Sequence, residues 1–145
     1  MPYWRLFYHF VWGTRNREPL IAPEWEEQLH SVMAAKVTEL GAFVYGVGGT
    51  EDHVHLVASV PPSIALSTFI GQVKGNSSHF VNHVLSPDTH FAWRSEYGVV
   101  SFGGKVLDVV VRYVKNQRQH HTDETTMVML ERAALAMERG AEPPP

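Results

Sequence analysis

Two short runs carry side chains that could do chemistry together. The first is "EDHVHLV", residues 51–57, where His53 and His55 stand two apart in an apolar stretch. Residues two apart on a strand point to the same face. The pair therefore offers two imidazole ligands at the edge of a sheet, and Asp52 is placed to hold a second ring nitrogen, which fixes tautomer and orientation. Two imidazoles leave a divalent ion of the Mg²⁺ or Mn²⁺ type in need of an oxygen ligand. The second run, "VVVRYVKNQRQHH", residues 109–121, can supply one. Tyr113 and Gln117 are four apart on an expected helix and share a face that Val106 and Val110 continue. Gln117 offers a neutral oxygen and Tyr113 a hydroxyl nucleophile. Each run also has a bland reading: two half-buried histidines satisfied by backbone, and a core tyrosine with an amide at the helix rim.

These residues need a scaffold, and the rest of the chain spells one out. Residues 3–13, "YWRLFYHFVWG", are aromatic and β-branched and predict a strand. Tyr8, Phe10 and Trp12 alternate along it and are expected to pack under helices. A helix follows, with Pro23 in its first turn, early glutamates that suit the dipole, and Gly41 at its end. Residues 42–49 and 53–60 predict two strands of a hairpin. A second helix is expected from near Ser63, with Gly71 and Gly75 in its middle. A short strand at 97–102 leads to the tyrosine helix over 105–121, ended by His120 and His121. A further helix spans 123–139, and 140–145 is a tail. The order β-α-β-β-α-β-α-α in a chain of 145 residues predicts one α+β domain. Its sheet is antiparallel, with helices packed on one face and a C-terminal tyrosine-bearing helix.

Composition narrows the function classes. Hydrophobic residues reach 44%, enough for a real core, and charged residues only 19%, which argues against disorder. There is no cysteine, which excludes a disulfide scaffold, a thiolate zinc site and a cysteine nucleophile. A cytoplasmic protein is expected, without a signal peptide and without an apolar run near the ~18 residues of a membrane span. The net charge is −3, but the charges are segregated. Residues 1–17 sum to +3, 18–70 to −6, 71–121 to +3 and 122–145 to −3. A positive face on an acidic protein would draw on Arg15, Arg17, Lys74, Arg94, Lys105, Arg112, Lys115 and Arg118.

Taken together, the chain resembles the HUH single-tyrosine transposases of bacterial insertion sequences, both IS200-like and REP-associated. "DHVHLV" matches the family's His-hydrophobe-His signature. "YVKNQRQHH" matches its tyrosine, glutamine and histidine-pair signature. "FVWGTRNREPLI", "FIGQVKGNSSHFVN" and "FAWRSEYGVVSF" resemble its first strand and turn, second helix and tryptophan-to-strand segment. The likeness spans about residues 3–121, in the family's order. It departs at Gly103 and Gly104, where a serine often stands, and at Arg94 to Glu96, where the family pattern has glutamine and glycine.

The resemblance implies a ferredoxin-like domain that dimerises, with a tyrosine helix able to act in trans. It implies cleavage and rejoining of single-stranded DNA at hairpin ends through a 5′-phosphotyrosine link. Tyr113 would be the nucleophile, and His53, His55 and Gln117 would hold Mg²⁺ or Mn²⁺. Other readings are a non-catalytic or domesticated hairpin-binding module of the same fold, an RNA-binding sheet, and a rolling-circle nickase. A histidine-triad hydrolase would need a third histidine where Val57 stands.

Overall fold

The computed structural model describes residues 3–117. The expected helix at 123–139, the tail, Arg118, His120 and His121 lie outside the described residues. Within them the expected order of elements is found. β1 (Phe7–Gly13) leads to α1 (Glu26–Glu39), β2 (Phe43–Gly49), β3 (His53–Ser59), α2 (Leu66–Phe80), β4 (Gly98–Phe102) and α3 (Leu107–Lys115). The sheet order is β2-β3-β1-β4, and every neighbouring pair is antiparallel. This is the ferredoxin-like α+β arrangement.

Local chemistry sets the boundaries. α1 starts at Glu26, after a turn through Pro23, and stops where Gly41 takes φ 84°, a left-handed conformation that glycine adopts without strain. α2 starts later than expected, at Leu66, because Ile64 closes a turn onto the Pro61 carbonyl at 3.3 Å. Gly71 and Gly75 sit on its solvent side, where an added β-carbon would meet nothing within 4 Å. They lower helix propensity without interrupting the helix.

Alternation along the strands splits the sheet into two faces. Phe10 and Trp12 of β1 and Val54, Leu56 and Ala58 of β3 join Leu29, Met33 and Val37 of α1. Phe69, Ile70 and Val73 of α2 complete this main core, and partly buried Tyr8 packs against it. Each large apolar side chain buried there contributes about 1.5–3 kcal/mol. α1 and α2 therefore cover one face, as expected. The tyrosine helix does not join them. α3 packs on the opposite face, where Val57 of β3 meets Val110, Tyr113 and Val114 in a second, smaller cluster. The residues that alternate with the main core, His53, His55 and Val57, point that way.

Candidate active site

β2 controls how closely α3 approaches. Gly48 pairs with His55 across the β2–β3 ladder. A β-carbon at Gly48 would lie 2.8 Å from the Val114 carbonyl carbon and closer still to its oxygen. Only glycine lets the helix backbone rest on the strand here. Val114 lies between Tyr113 and Gln117, so this contact sets both side chains against the histidine pair. The tyrosine face begins at Val110 and not at Val106. Val106 belongs to a 3₁₀ turn, Gly104–Val106, and is 44% exposed, because that turn breaks the helical phase before Leu107.

His53, His55, Tyr113 and Gln117 converge. His53 Nε2 lies 3.3 Å from Gln117 Oε1, and the His53 and His55 ring centroids are 5.1 Å apart. The Tyr113 ring stands edge-on to His55, with centroids 5.9 Å apart. His55, Tyr113 and Gln117 are buried at 2%, 8% and 2% exposure. Gln117 Nε2 donates to the Tyr113 carbonyl at 3.3 Å, which turns its Oε1 toward His53.

Asp52 supports His53. The His53 Nδ1–H donates to Asp52 Oδ1 at 2.8 Å. Arg17 Nη2 and the Thr50 hydroxyl donate to the same oxygen at 3.3 and 3.2 Å. Burial alone would raise the Asp52 pKa, but the His53 hydrogen bond and the Arg17 charge outweigh it and hold the carboxyl below its ordinary value. Asp52 is then an acceptor only, so His53 carries its proton on Nδ1. In neutral His53 the Nε2 lone pair faces the Gln117 Oε1 lone pair, which repels unless a cation sits between them. Ligands at right angles about a small divalent cation, bound at ~2.1 Å, lie about 3 Å apart. The spacing and the donor types fit a divalent cation. Among the described residues no three His, Cys, Asp or Glu side chains form a ligand cluster, so the amide oxygen of Gln117 is needed for a third ligand.

Three participants went unread in the sequence. His9 of β1 lies with its Nε2 2.7 Å from His55 Nδ1, and the two rings are nearly parallel at 19°. Burial holds His9 neutral, lowering its pKa to about 3. Its only signal was a polar residue inside an apolar strand, which gains meaning once the β1–β3 register is known. Thr50 and the ion pair of Arg17 were missed as well. Arg17 reaches Asp52 from a turn in which Asn16 and Arg17 both adopt positive φ, 57° and 54°. Non-glycine residues rarely hold that conformation, and here it aims a guanidinium at the site.

The expected basic face divides by partner. Arg17 is paired with Asp52. Lys74 Nζ donates to the carbonyls of Arg94, Ser95 and Glu96 at 2.6, 3.2 and 3.3 Å, and so ties down that loop. Burial lowers its pKa to about 8, against the opposing charge of Glu96. Arg94 pairs with Glu96 at 2.8 Å, and Arg112 Nε donates to the Asp108 carbonyl at 3.4 Å. Arg15, Lys105 and Lys115 are exposed. Arg15 and Arg94 line a cleft of about 410 Å³ beside Trp93.

A 4-1-3-2 antiparallel sheet, with a histidine-pair strand and a tyrosine-bearing helix on its far face, is a fold shared with solved transposases. A REP-associated tyrosine transposase bound to a REP hairpin superposes on it with a TM-score of 0.60 at 14% identity, over 99% of this chain and 89% of that one. The chain belongs to the IS200-like transposase family, whose model matches residues 2–117. Two relatives that it resembles are themselves named as transposases. The ISDra2 transposase TnpA of Deinococcus radiodurans is 23% identical over 119 residues, covering 79% of this chain and 85% of that protein. The IS200 transposase of Salmonella typhimurium is 25% identical over 119 residues, covering 79% and 78%.

Proposed function

We propose that this chain cleaves and rejoins single-stranded DNA, with Tyr113 as nucleophile and His53, His55 and Gln117 holding Mg²⁺ or Mn²⁺ at the scissile phosphate. The observation that carries the reading is the convergence of Tyr113 of α3, and of Gln117 just past the end of that helix at Lys115, on the two histidines of β3. Hairpin ends are the proposed substrate, by analogy with the hairpin-bound relative. Family membership and fold support the class of reaction, and the local geometry supports the roles.

Attack by the Tyr113 oxygen on the phosphorus forms a phosphotyrosine bond and breaks the bond to the 3′ oxygen, which leaves as a 3′-hydroxyl once protonated. The reverse attack by a 3′-hydroxyl rejoins a strand, and the retained phosphodiester energy removes any need for ATP. A phenol is mostly protonated at pH 7, so it must lose its proton as it attacks. A divalent cation, when bound, would neutralise the phosphoryl oxygens and favour in-line attack. The chain's own part is positional. Asp52 and Arg17 orient His53, α3 orients Gln117, and the burial of Tyr113 restricts its ring. Arg15, Lys105 and Lys115 are the exposed cations proposed to meet DNA phosphates, with Arg94 beside Arg15 in the Trp93 cleft. Tyr113 lies against His55 of its own chain. A homodimer in which that helix serves the other subunit belongs to the same proposal.

The test is covalent capture. Labelled hairpin oligonucleotides from the flanking genomic DNA, incubated with protein and Mg²⁺ or Mn²⁺, should give a protein–DNA band on a denaturing gel. The band should require the metal and vanish in Tyr113→Phe. Retarded migration on a native gel without any covalent band would overturn the catalytic reading in favour of a binding module.

A further inference from the structure

The two histidines of β3 are supported differently. His53 has a carboxylate behind it, whereas the nitrogen of His55 on that side meets another imidazole. We propose that His9 is the positioning residue of His55, fixing its proton on Nδ1 so that Nε2 is presented as a cation ligand; this rests on the metal-site reading above.

The geometry allows one proton on the line between the two rings. His9 Nε2 and His55 Nδ1 are 2.7 Å apart, and both residues are buried, at 1% and 2% exposure. If the proton sits on His9, His55 must carry its own on Nε2 and cannot ligate through that atom. If it sits on His55 Nδ1, His9 accepts it and the Nε2 lone pair of His55 is available. The sheet register holds the rings in place. Val11 pairs with His55 and His9 with Val57, so the two histidines are diagonal neighbours across β1 and β3.

A second observation separates this role from simple packing. The other ring nitrogen of His9, Nδ1, is buried without a hydrogen-bond partner among the described residues. An unsatisfied buried polar atom is destabilising, and an apolar side chain of similar size would avoid it. Stability alone therefore gives little reason for a histidine at this position. Among the described residues its one polar contact is the bond to His55.

The test compares wild type with His9→Gln, whose amide oxygen can still accept from His55, and His9→Leu, which cannot. Nitrogen-15 NMR of the metal-free proteins should show the Nδ1–H tautomer of His55 in wild type and in the Gln variant. The Leu variant should shift toward Nε2–H. Mn²⁺ affinity, by calorimetry, should fall about tenfold or more in the Leu variant and change little in the Gln variant, as for other groups behind a metal ligand. Melting curves for all three identify any variant that has failed to fold, in which case the wild-type tautomer decides. An Nε2–H tautomer of His55 in wild type would overturn the proposal. So would a folded Leu variant that binds Mn²⁺ like wild type. No Mn²⁺ binding by the wild type would instead overturn the cation-site reading, and the proposal with it.

Discussion

Gly48→Ala tests whether the seat of α3 governs the site. The added β-carbon would lie 2.8 Å from the Val114 carbonyl carbon, where an ordinary carbon–carbon contact is about 3.5–4.0 Å. Either the strand or the helix must move by about 1 Å. The strand is fixed by its full ladder to β3, whereas α3 rests on a small cluster, so the helix should yield. That shift lifts Tyr113 and Gln117 together and widens the 3.3 Å gap between Gln117 Oε1 and His53 Nε2 to about 4 Å. Overpacking of this kind costs about 1–3 kcal/mol. A 1 Å misplacement of reacting groups costs about a hundredfold in rate. The assay is the rate of covalent DNA capture, with Mn²⁺ affinity and melting temperature measured beside it. The control is Gly46→Ala on the same strand, where the new methyl would make an ordinary 3.5 Å contact with Val111. Gly46→Ala should retain most activity, while Gly48→Ala should lose capture far beyond its loss of stability. A Gly48→Ala protein with wild-type capture and Mn²⁺ affinity would refute the claim that this contact sets the helix.

Asp52→Asn keeps an acceptor for His53 but removes the charge that pairs with Arg17, and should weaken Mn²⁺ binding about tenfold in a titration. Arg17→Met leaves the carboxylate in place and should cost less in the same titration. Lys74 tests linkage. Its folded pKa of about 8 lies below the ordinary 10.5, so the unfolded chain holds more protons between those values. The melting difference between wild type and Lys74→Met should be flat below pH 8 and move in favour of wild type from pH 8 to 10.5. Arg15→Ala should weaken hairpin binding without changing the melting temperature, and should lower the slope of log affinity against log salt by about one, measured by anisotropy.

The pieces of the site were legible because each is encoded within a few residues. Period-two placement put His53 and His55 on one face, and the four-residue spacing brings Gln117 back to the Tyr113 carbonyl even though α3 ends at Lys115, short of the expected 121. The element order and the main-core role of Phe10 and Trp12 were readable for the same reason. What escaped depends on which surfaces meet. Nothing local says that α3 takes the face opposite α1 and α2, that Gly48 lies beneath Val114, or that His9 reaches His55. Those facts come from the β2-β3-β1-β4 order and its register, which join residues more than forty apart. Charge misled in a similar way. Lys74 and Arg17 count toward a basic surface in sequence, yet one ties down three carbonyls and the other supports Asp52.

The sheet thereby divides stability from chemistry. Main-core residues of β3, such as Val54, Leu56 and Ala58, meet two helices, whereas those that alternate with them meet one short helix and carry the imidazoles. The larger cluster can hold the histidines still while the smaller one holds the tyrosine. A site divided in this way depends on how well the less anchored part is seated. That seat is a glycine with no side chain beneath the Val114 carbonyl, and Val114 is next to Tyr113 and three residues from Gln117. The residues that matter most for bringing Tyr113 to the histidines thus include one with no chemistry of its own. Hence a scan for reactive side chains finds the proposed ligands and the proposed nucleophile but not what brings them together.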